Sequence, residues 1–124
     1  MKNCHRVLLA PLFVAVALSL AATQARAQDP VKVAPTHFKV LLENDHVRVL
    51  DFRCKAGDKI PMHSHPNYIT YSISGGAGNT KFTSPDGKVT ERANKGGQAV
   101  WHEAETHSSE SSVAIHVLIV EFKQ

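Results

Sequence analysis

The chain has 124 residues, 43% hydrophobic and 20% charged, a balance that suits one modestly sized folded domain rather than a disordered chain. Its formal net charge of +3 is uneven: Lys2, Arg6 and Arg26 all precede residue 28, and beyond them 11 basic residues are matched by 11 acidic ones. That balance excludes a basic surface for nucleic acid.

Lys2 and Arg6 are followed by an apolar run over residues 7–22, broken only by Pro11 and Ser19, and then by Ala25-Arg26-Ala27. A positive start, an apolar middle and small residues at the cleavage positions form the layout of a secretory signal. The expectation is a cleavable signal peptide over residues 1–27 and a mature chain starting near Gln28. That chain would be periplasmic or secreted and free of the membrane after cleavage. Cys4 precedes the apolar run and is not placed for lipidation. Cys54 is then the single cysteine of the mature chain, so stability must come from packing, metal or oligomerisation rather than a disulfide. Its place on an alternating strand reads as a small buried hydrophobe.

Residues 28–36 carry Pro30 and Pro35 without periodicity and read as a flexible N-terminal arm. Residues 37–42 form a short strand, closed by Glu43-Asn44-Asp45. Over residues 47–54, Val47, Val49, Asp51 and Arg53 share one face, and Arg48, Leu50, Phe52 and Cys54 the other. A turn at Lys55-Ala56-Gly57-Asp58 leads to Ile60-Pro61-Met62-His63-Ser64-His65, and a strand follows over 68–74. Gly75-Gly76-Ala77-Gly78-Asn79 is a turn without the strand-to-helix setting of a phosphate loop. Residues 81–83 and 89–92 flank Pro85-Asp86-Gly87, a strong hairpin signal. After Lys95-Gly96-Gly97 come a short strand over 98–102, a polar loop over 103–112 carrying His107, and a long final strand over 112–122. On that strand Val113, Ile115, Val117, Ile119 and Glu121 alternate with Ala114, His116, Leu118, Val120 and Phe122, as in a central strand. Many short strands between Gly, Pro and Asn turns imply an all-β, closed or double-sheet structure.

His63 and His65 are one residue apart on a strand, so their imidazoles point to the same side and make half of a metal site. The loop after Trp101 could bring His107 back to complete it. Here the chain resembles the cupin superfamily. In its first motif a glycine, five residues and His-x-His are followed by a glutamate and a closing glycine. Gly57, His63 and His65 match that spacing, with Gly75 or Gly76 near the closing glycine. In the second motif Gly97 and the final His107 match, while His102 and Ala104 stand where proline and glycine would be. The resemblance covers residues 47–122 and looks especially like small single-domain cupins with Pro-Met-His-Ser-His and a Trp strand. It implies a small cupin jelly-roll barrel of two packed antiparallel sheets over residues 37–124. It also implies a divalent transition metal on His63, His65 and His107, iron favoured, with zinc, nickel, copper or manganese compatible.

The motif's glutamate is absent. Ile69 takes its place if the Ile69, Tyr71 and Ile73 face lines the barrel; Tyr68 points toward the site if the Tyr68, Thr70, Ser72 and Ser74 face does. Tyr68, His102 and Glu105 are the candidates for a fourth or supporting position, and a three-histidine site with open positions is favoured. Neutral imidazoles suit first-row metals, and without a carboxylate the ion keeps its full charge, which favours an anionic chelating ligand such as an enolate, thiolate or carboxylate. Cupins lacking the glutamate include acetylacetone-cleaving and thiol dioxygenases, so the resemblance implies oxidation of a small molecule. No catalytic residue is assigned. The competing reading is a non-catalytic module that binds a small ligand or metal in the same barrel; a third is that the histidines only stabilise the fold. Trp101 and Phe82 read as core, His116 as barrel or neighbour contact, Tyr68 and Tyr71 as pocket wall or dimer surface. Strand-rich ends on a short chain point to a homodimer.

Overall fold

The structure, a computed structural model, describes residues 28–124, so the predicted signal peptide lies outside the described residues. One helical turn, α1 (Pro30–Val33), precedes nine strands: β1 (Phe38–Glu43), β2 (Val47–Cys54), β3 (Lys59–His65), β4 (Tyr68–Gly75), β5 (Asn79–Thr83), β6 (Val89–Ala93), β7 (Ala99–His102), β8 (Glu105–Ser111) and β9 (Ile115–Phe122). All pairings are antiparallel. They build a five-stranded sheet in the order β1-β2-β9-β4-β7 and a four-stranded sheet in the order β3-β8-β5-β6. This is the expected two-sheet jelly roll, with β9 central in the larger sheet.

Alternation decides what each strand contributes to the interior. β2 turns Arg48, Leu50, Phe52 and Cys54 inward, opposite Glu121, Ile119, Val117 and Ile115 of β9. β4 turns Tyr68, Thr70 and Ser72 inward. Tyr71 and Ile73 stand exposed on its other face, which is also the face of Ile69. The Tyr68 alternative is therefore the one the fold adopts, and Ile69 faces away from the barrel. The buried apolar cluster joins Phe38, Leu50, Phe52, Cys54, Ile60, Tyr68 and Ile119 with Ala34. Burying a side chain such as Leu50, fully enclosed here, stabilises the fold by about 2 kcal/mol.

Three segments differ from the sequence reading. The expected flexible arm is docked: Asp29 caps α1 by accepting the Val31 N–H at 2.9 Å, and Pro30 occupies the first helical position. Gln28 accepts the Ser64 N–H at 2.9 Å, and Pro30 and Ala34 are buried. The Asp-Pro pair was the available signal, but a single turn is too short to show periodicity. The expected polar loop over 103–112 is mostly β8. Its inward residues Glu105, His107, Ser109 and Ser111 are all polar, so apolar alternation could not reveal it. Trp101, assigned to the core, is 51% exposed; it sits on the outer face of β7 against Phe122, with its indole N–H donated to Glu103 at 2.8 Å.

The predicted hairpin joins β5 to β6, with Gly87 at φ +83° and Ser84 N–H donated to the Lys88 carbonyl at 2.9 Å. Gly78 serves a different purpose, because a Cβ there would lie 2.7 Å from both Ser112 Oγ and Val113 Cγ1. Gly78→Ala is expected to overpack this contact and cost about 1–3 kcal/mol in urea unfolding. An unchanged midpoint would show that the turn relaxes freely.

Candidate metal centre

β3 and β8 are neighbours, and their register sets His63 opposite His107 and His65 opposite Glu105. Directly opposed residues share a face, so all four side chains point inward. Pro61 makes this alignment compatible with a buried Ile60. It has no N–H for the ladder, and the pairing shifts between Ile60 and His63, which places these residues on the same face although they are three apart.

The ligand atoms of His63, His65 and His107 all lie within 4.8 Å of one another, and all three residues are buried. The ring centroids are 4.9 Å apart for His63 and His65, 4.8 Å for His63 and His107, and 5.5 Å for His65 and His107. Two rings are oriented from behind. His63 Nδ1 lies 2.7 Å from the Pro61 carbonyl oxygen, and His65 Nδ1 lies 2.6 Å from Glu121 Oε1. Those oxygens can only accept, so each Nδ1 carries a proton and leaves Nε2 as the ring atom available to an ion. His107 is different: its buried Nδ1 has no hydrogen-bond partner among the described residues, and Glu105 Oε1 stands 3.5 Å away. Coordination would either use this nitrogen or, through Nε2, fix it as a donor toward Glu105. Burial pushes the His63 imidazole down to about 4, so it is neutral and able to bind an ion at pH 7. Three converging imidazoles, one with an unsatisfied nitrogen, fit a divalent first-row metal.

Glu121 anchors a chain of charges behind His65. Arg48 Nε donates to Glu121 Oε2 at 2.6 Å and Arg48 Nη1 to Asp29 Oδ2 at 2.8 Å, so the docked N-terminal arm is tied to the site. Burial alone would raise the Glu121 carboxyl, but bonds from His65 and Arg48 outweigh it and hold the group ionised. Arg48 and Glu121 were not singled out from the sequence. Their signal was nonetheless present: each is the one charge on an otherwise apolar, inward strand face.

Of the fourth-position candidates, Tyr68, Glu105 and His102 stand together beside the histidines, and none enters the three-histidine group. Tyr68 donates its hydroxyl to Glu105, and burial followed by that bond pushes the phenol up, so it keeps its proton. Arg92 clamps the same carboxylate through Nη1 at 3.2 Å and Nη2 at 3.0 Å. Burial would raise Glu105, but His107, Arg92 and Tyr68 together hold it well below the usual carboxylate range. His102 stacks on Tyr68 at 4.5 Å and bonds Thr70 Oγ1 at 2.9 Å. Burial, then the Arg92 charge, lowers its pKa. His116, by contrast, lies on the outer face and pairs with Asp51 at 2.5 Å. Arg92 was also missed from the sequence, on a strand whose other residues gave no apolar pattern.

No family model and no curated protein matches the sequence. Solved structures match its fold. A cupin domain from Bordetella pertussis Tohama I is 20% identical over 70% of this chain and 92% of its own, with a TM-score of 0.61. A Bacillus halodurans protein is 16% identical over 70% of both chains, with a TM-score of 0.56. A cupin superfamily protein from Desulfitobacterium hafniense DCB-2 is 12% identical over 70% of this chain and 76% of its own, with a TM-score of 0.53. The chain has the cupin fold.

Two outcomes are expected from this arrangement. Glu121→Gln removes the carboxylate behind His65 and should weaken metal binding by about 10–100-fold in chelator competition; an unchanged affinity would reduce Glu121 to a purely structural role. The metal-free protein should also lose stability on acidification. Below pH 6.5 an unfolded His63 takes up a proton that the folded ring, at about 4, refuses, so stability falls as pH drops through this window. The slope is roughly 1.4 kcal/mol per pH unit for one group, and the depressed carboxyls of Glu105 and Glu121 act in the same direction at lower pH. A urea midpoint flat between pH 6.5 and 4 would contradict this.

Proposed function

We propose that this protein is an exported metal-binding cupin that holds one divalent transition ion, iron by preference, on His63, His65 and His107 and oxidises a small chelating molecule there. The observation that carries the reading is the convergence of three buried imidazoles on a cavity of about 340 Å³, with both nearby carboxylates already committed to arginines. When bound, the metal supplies Lewis acidity and, as iron, redox chemistry with dioxygen.

The chain's own residues do the rest. The Pro61 carbonyl and Glu121 hold His63 and His65 with their lone pairs facing inward. Phe38, Phe52 and Ile119 give the chamber an apolar lining, and Thr70, Ser72 and Ser109 add hydroxyls to it. Because Glu121 answers Arg48 and Glu105 answers Arg92, neither neutralises an ion on the histidines, and an anionic ligand is favoured. A non-catalytic binding module is the second reading. It is favoured by the contacts that Glu105 makes with Tyr68 and Arg92, which leave no free carboxylate base beside the histidines.

A homodimer belongs to the same proposal and is supported by Tyr71, Ile73 and Trp101, exposed on one sheet face. Metal analysis of protein purified from its exporting host, combined with oxygen uptake on a panel of diketones and thiols, separates the readings. One iron per chain with oxygen consumption supports the dioxygenase-like enzyme, and a bound metal without turnover supports the binder. His107→Ala should abolish the metal; retention of full metal content would contradict both.

A further inference from the structure

Apart from the histidines, one ionisable cation lines the cavity: Arg92 of β6. Arg92, Val100 and His102 line both this cavity and a shallower outer groove bordered by Trp101, Glu103 and Glu105, so these three residues stand at the mouth. To the lining of the cavity β9 contributes only apolar side chains, Ile115, Val117 and Ile119.

The Arg92 guanidinium is held from two sides. Its Cζ lies over the Phe82 ring, 4.3 Å from the centroid, and Glu105 takes the edge formed by Nη1 and Nη2. Nη1 is also 3.4 Å from His102 Nδ1. A guanidinium carries five N–H groups and presents more than one fork that matches a carboxylate. The fork formed by Nε and the second Nη2 proton remains, and among the described residues Nε has no hydrogen-bond partner. Glu105 Oε1 touches both Arg92 Nη1, at 3.2 Å, and His107 Nδ1, at 3.5 Å, which keeps these nitrogens within about 7 Å of each other. One small ligand can therefore meet the guanidinium and the histidines together.

We propose that Arg92 is the anion-recognition residue of this cavity, taking the carboxylate of a small organic acid whose apolar body lies against Ile115, Val117 and Ile119. This deepens the proposed function and rests on its reading of the cavity as a ligand chamber. Glu105 and Phe82 position the guanidinium, and because Glu105 cancels its net charge, recognition comes from the directional fork. A neutral amide of the same shape puts N–H groups against those donors and is rejected.

The test uses benzoate and benzamide as probes, titrated into metal-free and zinc-loaded protein and followed by NMR chemical shifts. Metal-free protein should prefer benzoate by about tenfold or more. Arg92→Gln should erase that preference, and Arg92→Lys, which keeps charge but loses the fork, should retain only part of it. Since Arg92→Gln leaves Glu105 unpaired, the double variant Arg92→Gln/Glu105→Gln serves if the single one misfolds, and it too should show no preference. Equal binding of the two probes, no binding of either, or a preference that survives Arg92→Gln would overturn the proposal. A preference confined to zinc-loaded protein and indifferent to Arg92 would place the anion on the metal, overturning this inference while leaving the metal site intact. Conversely, an Arg92-dependent preference in a protein that retains no metal would support the inference and remove the dioxygenase-like reading.

Discussion

Glu121 is 2% exposed and ionised, and that carboxylate sets the terms for the site around it. Stranding such a charge in the interior would cost several kcal/mol, so its partners are obligatory rather than ornamental. Arg48 answers it from β2 and His65 from β3, which ties the two sheets together across the barrel. Arg48 in turn holds Asp29, the residue that caps α1. The geometry follows from register: Glu121 pairs with Arg48 on one side and with Tyr68 on the other. A slip of one residue on β9 would turn the carboxylate outward, taking from His65 its orienting partner and leaving Arg48 with Asp29 alone.

The same logic explains why the three histidines sit on the smaller sheet while support for His65 comes from the larger one. β3 and β8 present the imidazoles, but only His63 is oriented from its own strand, through the Pro61 carbonyl. His65 is oriented across the barrel, and His107 keeps an unpartnered nitrogen. The three rings are therefore not equivalent, and His107 has the most to gain from a ligand. Beside them, Tyr68, Glu105, Arg92 and His102 form a set of mutual contacts that borders the cavity mouth.

Much of this was legible in the sequence. The spacing of His63 and His65 on a strand gave the shared face directly, and the cupin resemblance brought in His107 from more than forty residues away. Strand alternation also reduced the missing glutamate to a choice between two faces, which the burial of Tyr68 resolves. What escaped was polar. β8 turns a glutamate, a histidine and two serines inward, so a search for apolar periodicity reads it as a loop. Arg48 and Glu121 were visible as single charges on apolar faces, but only the strand order β1-β2-β9-β4-β7 makes them neighbours. Trp101 was misplaced because size and hydrophobicity favour the core, whereas its strand parity sends it to the outer face.

The central claim is that His63, His65 and His107 are the complete protein contribution to one metal ion. Anomalous diffraction from a crystal of the metal-loaded protein addresses it most directly. The account predicts one strong peak per chain, about 2.0–2.2 Å from a nitrogen of each of the three rings, with no other protein atom at bonding distance. A peak bonded to the Glu105 carboxylate or the Tyr68 phenolate, or no peak at the histidines, would contradict it.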